Sequence, residues 1–533
     1  MKKIIISISF VFIVSFLFAQ SNKTNDNDNK CWYNQDWKTD KVMGVSSDKA
    51  YNELLKDKTP KSVIVAIIDG GTDITHEDLQ GVIWTNEDEI PDNGIDDDHN
   101  GYIDDIHGWS FIGNPDGRNV NQDNLEQTRI YRMLKPKYEF ADPLVNINNE
   151  EYKLYVKCRD EVESELAASK NALKNVNTLY KNLKYADSVL TLYFKTSEYT
   201  MDQLKGVKSS VMLPLAEFVI YWKKEGIGIP EVEGMREYYE GKVLYRYNID
   251  FDPRDIVGDD WTNNSNPYYG CNDVTGPSAD HGTMVAGNVA AVRGNNIGAD
   301  GVTSNAQLMI IRVVPDGDER DKDVANAILY AVNNGATIIN MSFGKSYSPQ
   351  KEFVDSALRV ANQYDVLIIH AAGNDADNND TIDHYPLNRD ANGRVLDEKW
   401  LTIGASTSSG DKNLPASFSN YGGKTVDVFA PGENIYSCEP GNKYSYVDGT
   451  SMACPITSGV AAIIRAYYPT LTALEVKEVI MKSVQPYTKK VIVPNQNGDS
   501  VKMKFSELSV SGGVINVYNA LKLAEEMVNA KKD

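Results

Sequence analysis

The sequence predicts an α/β fold, a mostly parallel sheet with helices on both faces, extended by a mainly helical insertion. Three observations carry that prediction. Continuous apolar runs such as Val63-Ile64-Val65-Ala66-Ile67-Ile68 read as strands buried on both faces. Helix start and stop signals separate these runs, the alternation that parallel sheets need. Finally, between Pro143 and Gly206 there is neither proline nor glycine, and apolar residues recur at three- and four-residue steps. With 533 residues and 41% hydrophobic content the chain can bury a large core, and its length allows roughly two to four domains.

In chain order, Lys2-Lys3 and the apolar run Ile4 to Ala19 read as a secretory signal peptide over residues 1–20, cleaved near Ala19 or Gln20. A membrane-spanning helix needs about 20 apolar residues, so this run is short for one, and no later stretch is apolar enough. The expectation is therefore a secreted, periplasmic or cell-envelope protein without stable membrane insertion. No cysteine stands at the cleavage position to take a lipid, the first being Cys31. Residues 21–59 form an N-terminal extension that opens on a polar tether, 21–30. The formal charge of −21 argues against nucleic acid as a partner and against adhesion to anionic membranes. Five cysteines are too few for a disulfide scaffold, and their odd number leaves at least one unpaired in a monomer.

The first strand of the core ends in Asp69, and open α/β sheets place their sites at the carboxyl edge of their strands. Beyond it, Asp96, Asp98, Asn100 and Asp104, with Gly101 for a sharp turn, have the spacing of a loop for a structural calcium ion. The alternative is a solvated acidic turn, because no bidentate glutamate closes the motif. His99 and His107 read as ordinary loop residues. Residues 113–269 then form the insertion. Its stripe of Val162, Leu166, Leu173, Val176, Tyr180, Leu183, Leu190 and Phe194 predicts an amphipathic helix or helical hairpin, on the order of 60 Å long over forty residues. The stripe packs on its own domain or, alternatively, forms a dimerising coil in a homo-oligomer; Ser169 and Asp187 interrupt the repeat. Tyr221, Trp222, Tyr238, Tyr239, Tyr245 and Tyr247 read as a small core rather than the lining of a cleft. Because the insertion begins after Asp69 and ends before His281, its expected role is a lid or recognition arm.

The fold resumes near Gly270, so that residues 60–112 and 270–525 make up the main domain. His281-Gly282-Thr283-Met284-Val285-Ala286-Gly287 sets an imidazole before small residues that allow close helix packing. Asp323 is expected to cap a helix running to Asn334, with Gly335 as terminator, and Thr337 to Met341 is the next strand. Ser348-Pro349 opens another helix, followed by the strand Val366 to Ile369. Ala371-Ala372-Gly373-Asn374 then offers an amide able to hydrogen-bond an oxyanion. Strands at Trp400 to Gly404 and Val426 to Phe429 precede Gly449-Thr450-Ser451-Met452-Ala453-Cys454-Pro455 and a helix to Tyr467. Thr472 and Glu475 have capping-box spacing, and Gly512 to Asn516 with a last helix closes the domain.

Ser451 would sit near a helix N-terminus, where developing negative charge is favoured. A lone serine is a poor nucleophile and needs a base and a group that orients the base; His281 and Asp69 are the candidates. Singly, each has an ordinary reading, Asp69 and Ser451 as caps and His281 as a satisfied histidine. Cys454 reads as a small buried residue rather than a catalytic thiol. An esterase elbow is disfavoured because no glycine stands two places after Ser451.

Together with Asn340-Met341-Ser342-Phe343-Gly344, these segments resemble the subtilisin-like serine peptidases, over about residues 60–110 and 270–525, in the order Asp, His, Asn, Ser. The resemblance implies Ser451 as nucleophile, His281 as general base and acid, Asp69 as orienter and Asn374 as oxyanion donor. It implies that Ser342, Phe343 and Gly344 bind extended protein or peptide substrate, and that catalysis needs no cofactor. The large gap between Asp69 and His281 departs from compact members, and the segment before the first strand is short for a folded propeptide. The implied activity is a serine endopeptidase, the alternative a catalytically silent peptide-binding or assembly protein. Asp380 and Asp383, which follow Asn374, suggest a basic residue before the scissile bond.

Overall fold

The computed structural model describes residues 30–494 and 500–531; the expected signal peptide and most of the polar tether lie outside them. The chain divides into two units. One comprises residues up to Asn121, Ile256–Val314 and the chain from Glu319 onward, the other Gln122–Asp255 with Pro315–Asp318.

The first unit is built on a nine-stranded sheet. In chain order its strands are β1 (Val63–Asp69), β2 (Gly108–Ser110), β3 (Ala306–Arg312), β4 (Ile338–Met341), β5 (Leu367–Ala371), β6 (Trp400–Ser406) and β7 (Val428–Pro431). A hairpin of β8 (Ile435–Glu439) and β9 (Lys443–Val447) follows, then β10 (Gln485–Pro486), a second hairpin of β11 (Lys490–Pro494) and β12 (Ser500–Lys504), and β13 (Gly513–Val514). The sheet order is β10-β13-β7-β6-β5-β4-β1-β3-β2, parallel except for the β10–β13 pair.

The period of two explains why both faces are apolar. Val63, Val65 and Ile67 of β1 enter one core with the helices Asp280–Ala290, Thr450–Tyr467, Ala473–Lys482 and Val517–Ala530. Ala66 and Ile68 enter the other with the helices Asp321–Asn333 and Lys351–Ala361. The fold class is the one the sequence predicts. From Cys31 onward the N-terminal extension is built into the first core: Trp32, Tyr33, Val45 and Leu55 are buried there, and Tyr33 donates its hydroxyl to the Asp300 carbonyl at 2.9 Å.

Some boundaries differ from expectation for local reasons. The helix expected from Asp323 starts at Asp321, because the Asp323 carboxylate is used inside the fold as the acceptor of the Tyr269 hydroxyl at 2.6 Å. The helix expected from Ser348-Pro349 starts at Lys351, since the Ser348 hydroxyl donates to Asp321 at 2.8 Å rather than capping its own chain. Thr472 and Glu475 do form a capping box.

The second unit is helical. Its axis is one 45-residue helix, Glu150–Phe194, about 68 Å long at 1.5 Å per residue. Asn149 caps it by accepting from the Glu151 and Tyr152 amides. The buried seam runs through Tyr155, Val162, Ser169, Val176, Leu183 and Leu190, seven residues apart, the spacing that keeps one stripe facing a partner. Ser169 thus lies within the seam as a small buried residue instead of breaking it. The partners are in the same unit: the helices Glu126–Tyr138, Leu213–Lys224 and Ile229–Gly241 pack along it. Among the described residues no helix is long and apolar enough to cross a membrane.

Candidate active site

In the sheet, β3 lies on one side of β1 and β4 on the other, so the chain reverses its direction of winding there. Such a switch point opens a crevice at the carboxyl ends of the strands. Asp69 ends β1, Ser342 follows β4, and Asn374 lies just beyond β5.

Asp69 is 2% exposed, and its Oδ1 accepts from the Gly70 amide at 2.7 Å and from His281 Nδ1 at 2.8 Å. That bond fixes the tautomer, leaving Nε2 as the ring's proton acceptor. Glycines make the approach of the two segments possible. A Cβ on Gly282 would lie 2.1 Å from the Gly71 carbonyl oxygen, and one on Gly71, at φ +129°, would lie 2.2 Å from that of Thr275. The Thr283 hydroxyl ties the same seam by accepting from the Asp73 amide at 2.8 Å. Burial opposes a charge on His281, yet the Asp69 carboxylate and the hydrogen bond to it outweigh burial and hold the pKa above its ordinary value. The outer edge of the ring stays open, with 45% of the side chain exposed.

Ser451 lies in the first turn of the helix Thr450–Tyr467, where backbone N–H groups have no intrahelical acceptor. This helix packs on the one carrying His281, with Asn288 Nδ2 3.1 Å from Met452 Sδ. A Cβ on Gly449 would lie 2.6 Å from Ser451 Oγ and 3.8 Å from Asn374 Nδ2; both groups therefore face the space that Gly449 leaves empty. Asn374 is aimed by Thr450, whose amide donates to Asn374 Oδ1 at 2.8 Å and whose hydroxyl does so at 2.9 Å. A backbone N–H can only donate, so Oδ1 is the inward atom and Nδ2 the outward donor. No local sequence signal points to Thr450; only the fold brings it to Asn374.

The segment after β4 divides its duties. The Ser342 side chain points inward, accepting from Asn340 Nδ2 at 3.0 Å and donating to the Ser451 carbonyl at 2.9 Å. Ser458 donates to the other end of the Asn340 amide at 2.9 Å. Phe343 packs against the second core, and its carbonyl accepts from His370 Nε2 at 2.9 Å. Gly344 is exposed, and the backbone groups of Ser342 and Gly344 make no hydrogen bond to other described residues. Lys345, by contrast, is paired with Tyr385. His370, hidden in the apolar run of β5, is 3% exposed, and burial pushes its pKa down to about 4. Cys454 is fully buried against the Ile369 carbonyl, and burial pushes its thiol up to about 12.

Asp380 and Asp383 are occupied away from Asn374. Asp380 accepts from the Lys424 amide and the Thr425 hydroxyl, and Asp383 pairs with Arg389. The acids gathered beyond Asn374 are instead Asp375 and Asp377, which flank Ala376 at φ +57° and both face His384, at 3.7 and 3.1 Å.

Of the four oxygen donors expected to bind calcium, Asp96 and Asp98 come together with Glu89, near enough to share one ion. Asp104 turns to the Asn93 and Gly94 amides, and the Asn100 side-chain oxygen Oδ1 accepts from the Tyr102 amide. Glu89 also accepts the amides of Asp97, Asp98 and Asp104, which fixes its carboxylate beside Asp96 and Asp98.

Comparison with known proteins adds the family. Residues 60–504 match the model of the Subtilase family, and the chain belongs to it. Subtilisin DY of Bacillus licheniformis is 36% identical over 202 residues, 37% of this chain and 67% of the relative. The thermostable alkaline protease of Halalkalibacterium halodurans is 34% identical over 199 residues, 37% of this chain and 50% of that protein. The cell wall-associated protease of Bacillus subtilis is 32% identical over 236 residues, 44% of this chain and 24% of its own length. The chain thus spans only part of the length of the relatives it matches.

Proposed function

We propose that this protein is a serine endopeptidase that hydrolyses peptide bonds through an acyl-enzyme on Ser451. The observation that carries the reading is the 2.8 Å bond between His281 Nδ1 and the buried Asp69 carboxylate, which readies Nε2 to take a proton from Ser451, in the first turn of the helix Thr450–Tyr467. In the first half-reaction Ser451 Oγ attacks the scissile carbonyl while His281 takes its proton. The tetrahedral oxyanion accepts from Asn374 Nδ2 and the Ser451 amide, and His281 then protonates the leaving amine. Water reverses these roles to release the acid. Asp69 holds the tautomer and stabilises the imidazolium.

The free backbone groups of Ser342 and Gly344 suit an extended peptide. Glu89, Asp96 and Asp98 would hold calcium as a structural ion, and no catalytic step draws on it. Export through the N-terminal signal fits with protein substrates outside the cytoplasm.

The test is digestion of an unfolded protein by the signal-free chain, with products read by mass spectrometry. Wild type should release peptides and Ser451→Ala none. Because His281 must be neutral to accept a proton and its pKa is raised, kcat/KM should fall as pH drops through a value above the ordinary 6.5. Equal cleavage by Ser451→Ala would refute the proposal.

A further inference from the structure

Arg312 ends β3 directly opposite Asp69 in the sheet register and is 1% exposed. Its Nε donates to the Gly70 carbonyl at 2.8 Å, and Nη1 donates to Asn119 Oδ1 at 3.0 Å and Ser110 Oγ at 3.3 Å. Nη2 donates to the Val120 carbonyl. Among the described residues these acceptors are all neutral oxygens. Asp273 attracts the guanidinium from further off, but its carboxylate is engaged by Asn119, Thr275 and Gly276. Burying a charge without a directly bonded counter-charge is costly even in a relaxed protein. The arrangement of those acceptors is what the cation secures.

They belong to the segments that seat the Asp69–His281 pair. Gly70, held by Arg312 through its carbonyl, donates its own amide to Asp69 Oδ1 at 2.7 Å, the oxygen that also accepts from His281. The next carbonyl, Gly71, is the floor on which Gly282 rests. On the other side, the backbone of Gly276, at φ +63°, lies against the guanidinium, and a Cβ there would be 2.2 Å from Nε. The 274–275 turn is stitched to Thr72 by the Thr72 amide to Val274 carbonyl bond at 3.0 Å and the Thr275 hydroxyl to Thr72 carbonyl bond at 3.0 Å.

We propose that Arg312 is a positioning residue: by clamping Gly70 against the 274–276 turn it fixes the Asp69 carboxylate and thereby sets the basicity of His281. This rests on His281 acting as the general base. Lysine keeps the charge but cannot span the same acceptors, because its ammonium lacks the planar fork.

The experiment compares wild type, Arg312→Lys and Gly276→Ala, which crowds the guanidinium without touching its chemistry. Each is checked for folding, then assayed on a peptide amide across pH, and its downfield proton NMR spectrum is recorded. Displacement of a catalytic group by about 1 Å costs on the order of a hundredfold. Both variants should therefore lose roughly ten- to a hundredfold in kcat with KM nearly unchanged, and the acidic limb should move to lower pH. The Nδ1 proton resonance, identified by its loss in Asp69→Asn, should move upfield. Folded variants with wild-type kcat, limb and resonance overturn the proposal, as does a lowered Tm with an unmoved limb and resonance. If wild type hydrolyses nothing, the peptidase reading fails, while the Nδ1 resonance still decides whether Arg312 sets the pair.

Discussion

Asn374 is aimed rather than merely present. With its side-chain oxygen held by two donors of Thr450, the amide nitrogen faces the same space as Ser451 Oγ, and in the proposed reaction it would meet developing charge at no reorganisation cost. Asn374→Ala should lower kcat about a hundredfold or more with KM little changed, measured by steady-state hydrolysis of a peptide amide. His370 acts differently. It is neutral in the folded state because burial pushes its pKa to about 4, and as a neutral ring it donates Nε2–H to the Phe343 carbonyl. Its folded pKa lies below the unfolded value of 6.5, so its contribution to stability is complete above 6.5 and is lost as pH falls toward 4. Over that window stability should decline by about 1.4 kcal/mol per pH unit from this group alone. Denaturant titration of wild type and His370→Gln should show a shallower decline in the variant. Asp69, His281, Asn374 and Ser451 were legible because each sits in a motif whose neighbours are small for a reason. His370, Thr450 and Arg312 were not, since what they do depends on partners far along the chain.

At the scale of elements, the close contact between the helix Asp280–Ala290 and the turn after β1 governs the pairing of His281 with Asp69. A methyl group at Gly282 would meet the Gly71 carbonyl oxygen at 2.1 Å, a backbone atom that cannot rotate away. Gly282→Ala should therefore lower stability by about 1–3 kcal/mol and activity by a larger factor than its stability loss alone explains. Chemical denaturation alongside kinetics on the folded fraction checks this. Strands with uninterrupted apolar runs, β1 above all, were readable from sequence because both of their faces are covered. β3 was not singled out; it begins Ala306-Gln307 after a polar loop, and its identity comes from pairing with β1. Helix starts slipped at Asp323 and Ser348 for the same reason, as tertiary hydrogen bonds claimed the side chains that sequence assigned to caps. The calcium-loop spacing points to Asp96, Asp98, Asn100 and Asp104, but the chain brings Glu89 rather than Asp104 to Asp96 and Asp98. No fixed spacing within the loop could have indicated a residue that precedes it.

For the whole molecule, a parallel sheet with both faces covered brings Asp69, His281, Asn374 and Ser451 to one edge from segments separated by up to nearly four hundred residues. The helical unit of Gln122–Asp255 interrupts the sequence between the first two without interrupting the sheet. Its long seam is satisfied by helices of its own unit, which is why a seven-residue repeat here need not signal a second chain. The central claim is that this edge activates Ser451 as a nucleophile, and covalent labelling by a fluorophosphonate probe tests it most directly. The signal-free protein should be labelled on Ser451, located by peptide mass spectrometry, with labelling abolished in folded Ser451→Ala and nearly abolished in folded His281→Ala. A well-folded wild type that takes no label, or a label that persists in Ser451→Ala, would contradict the claim.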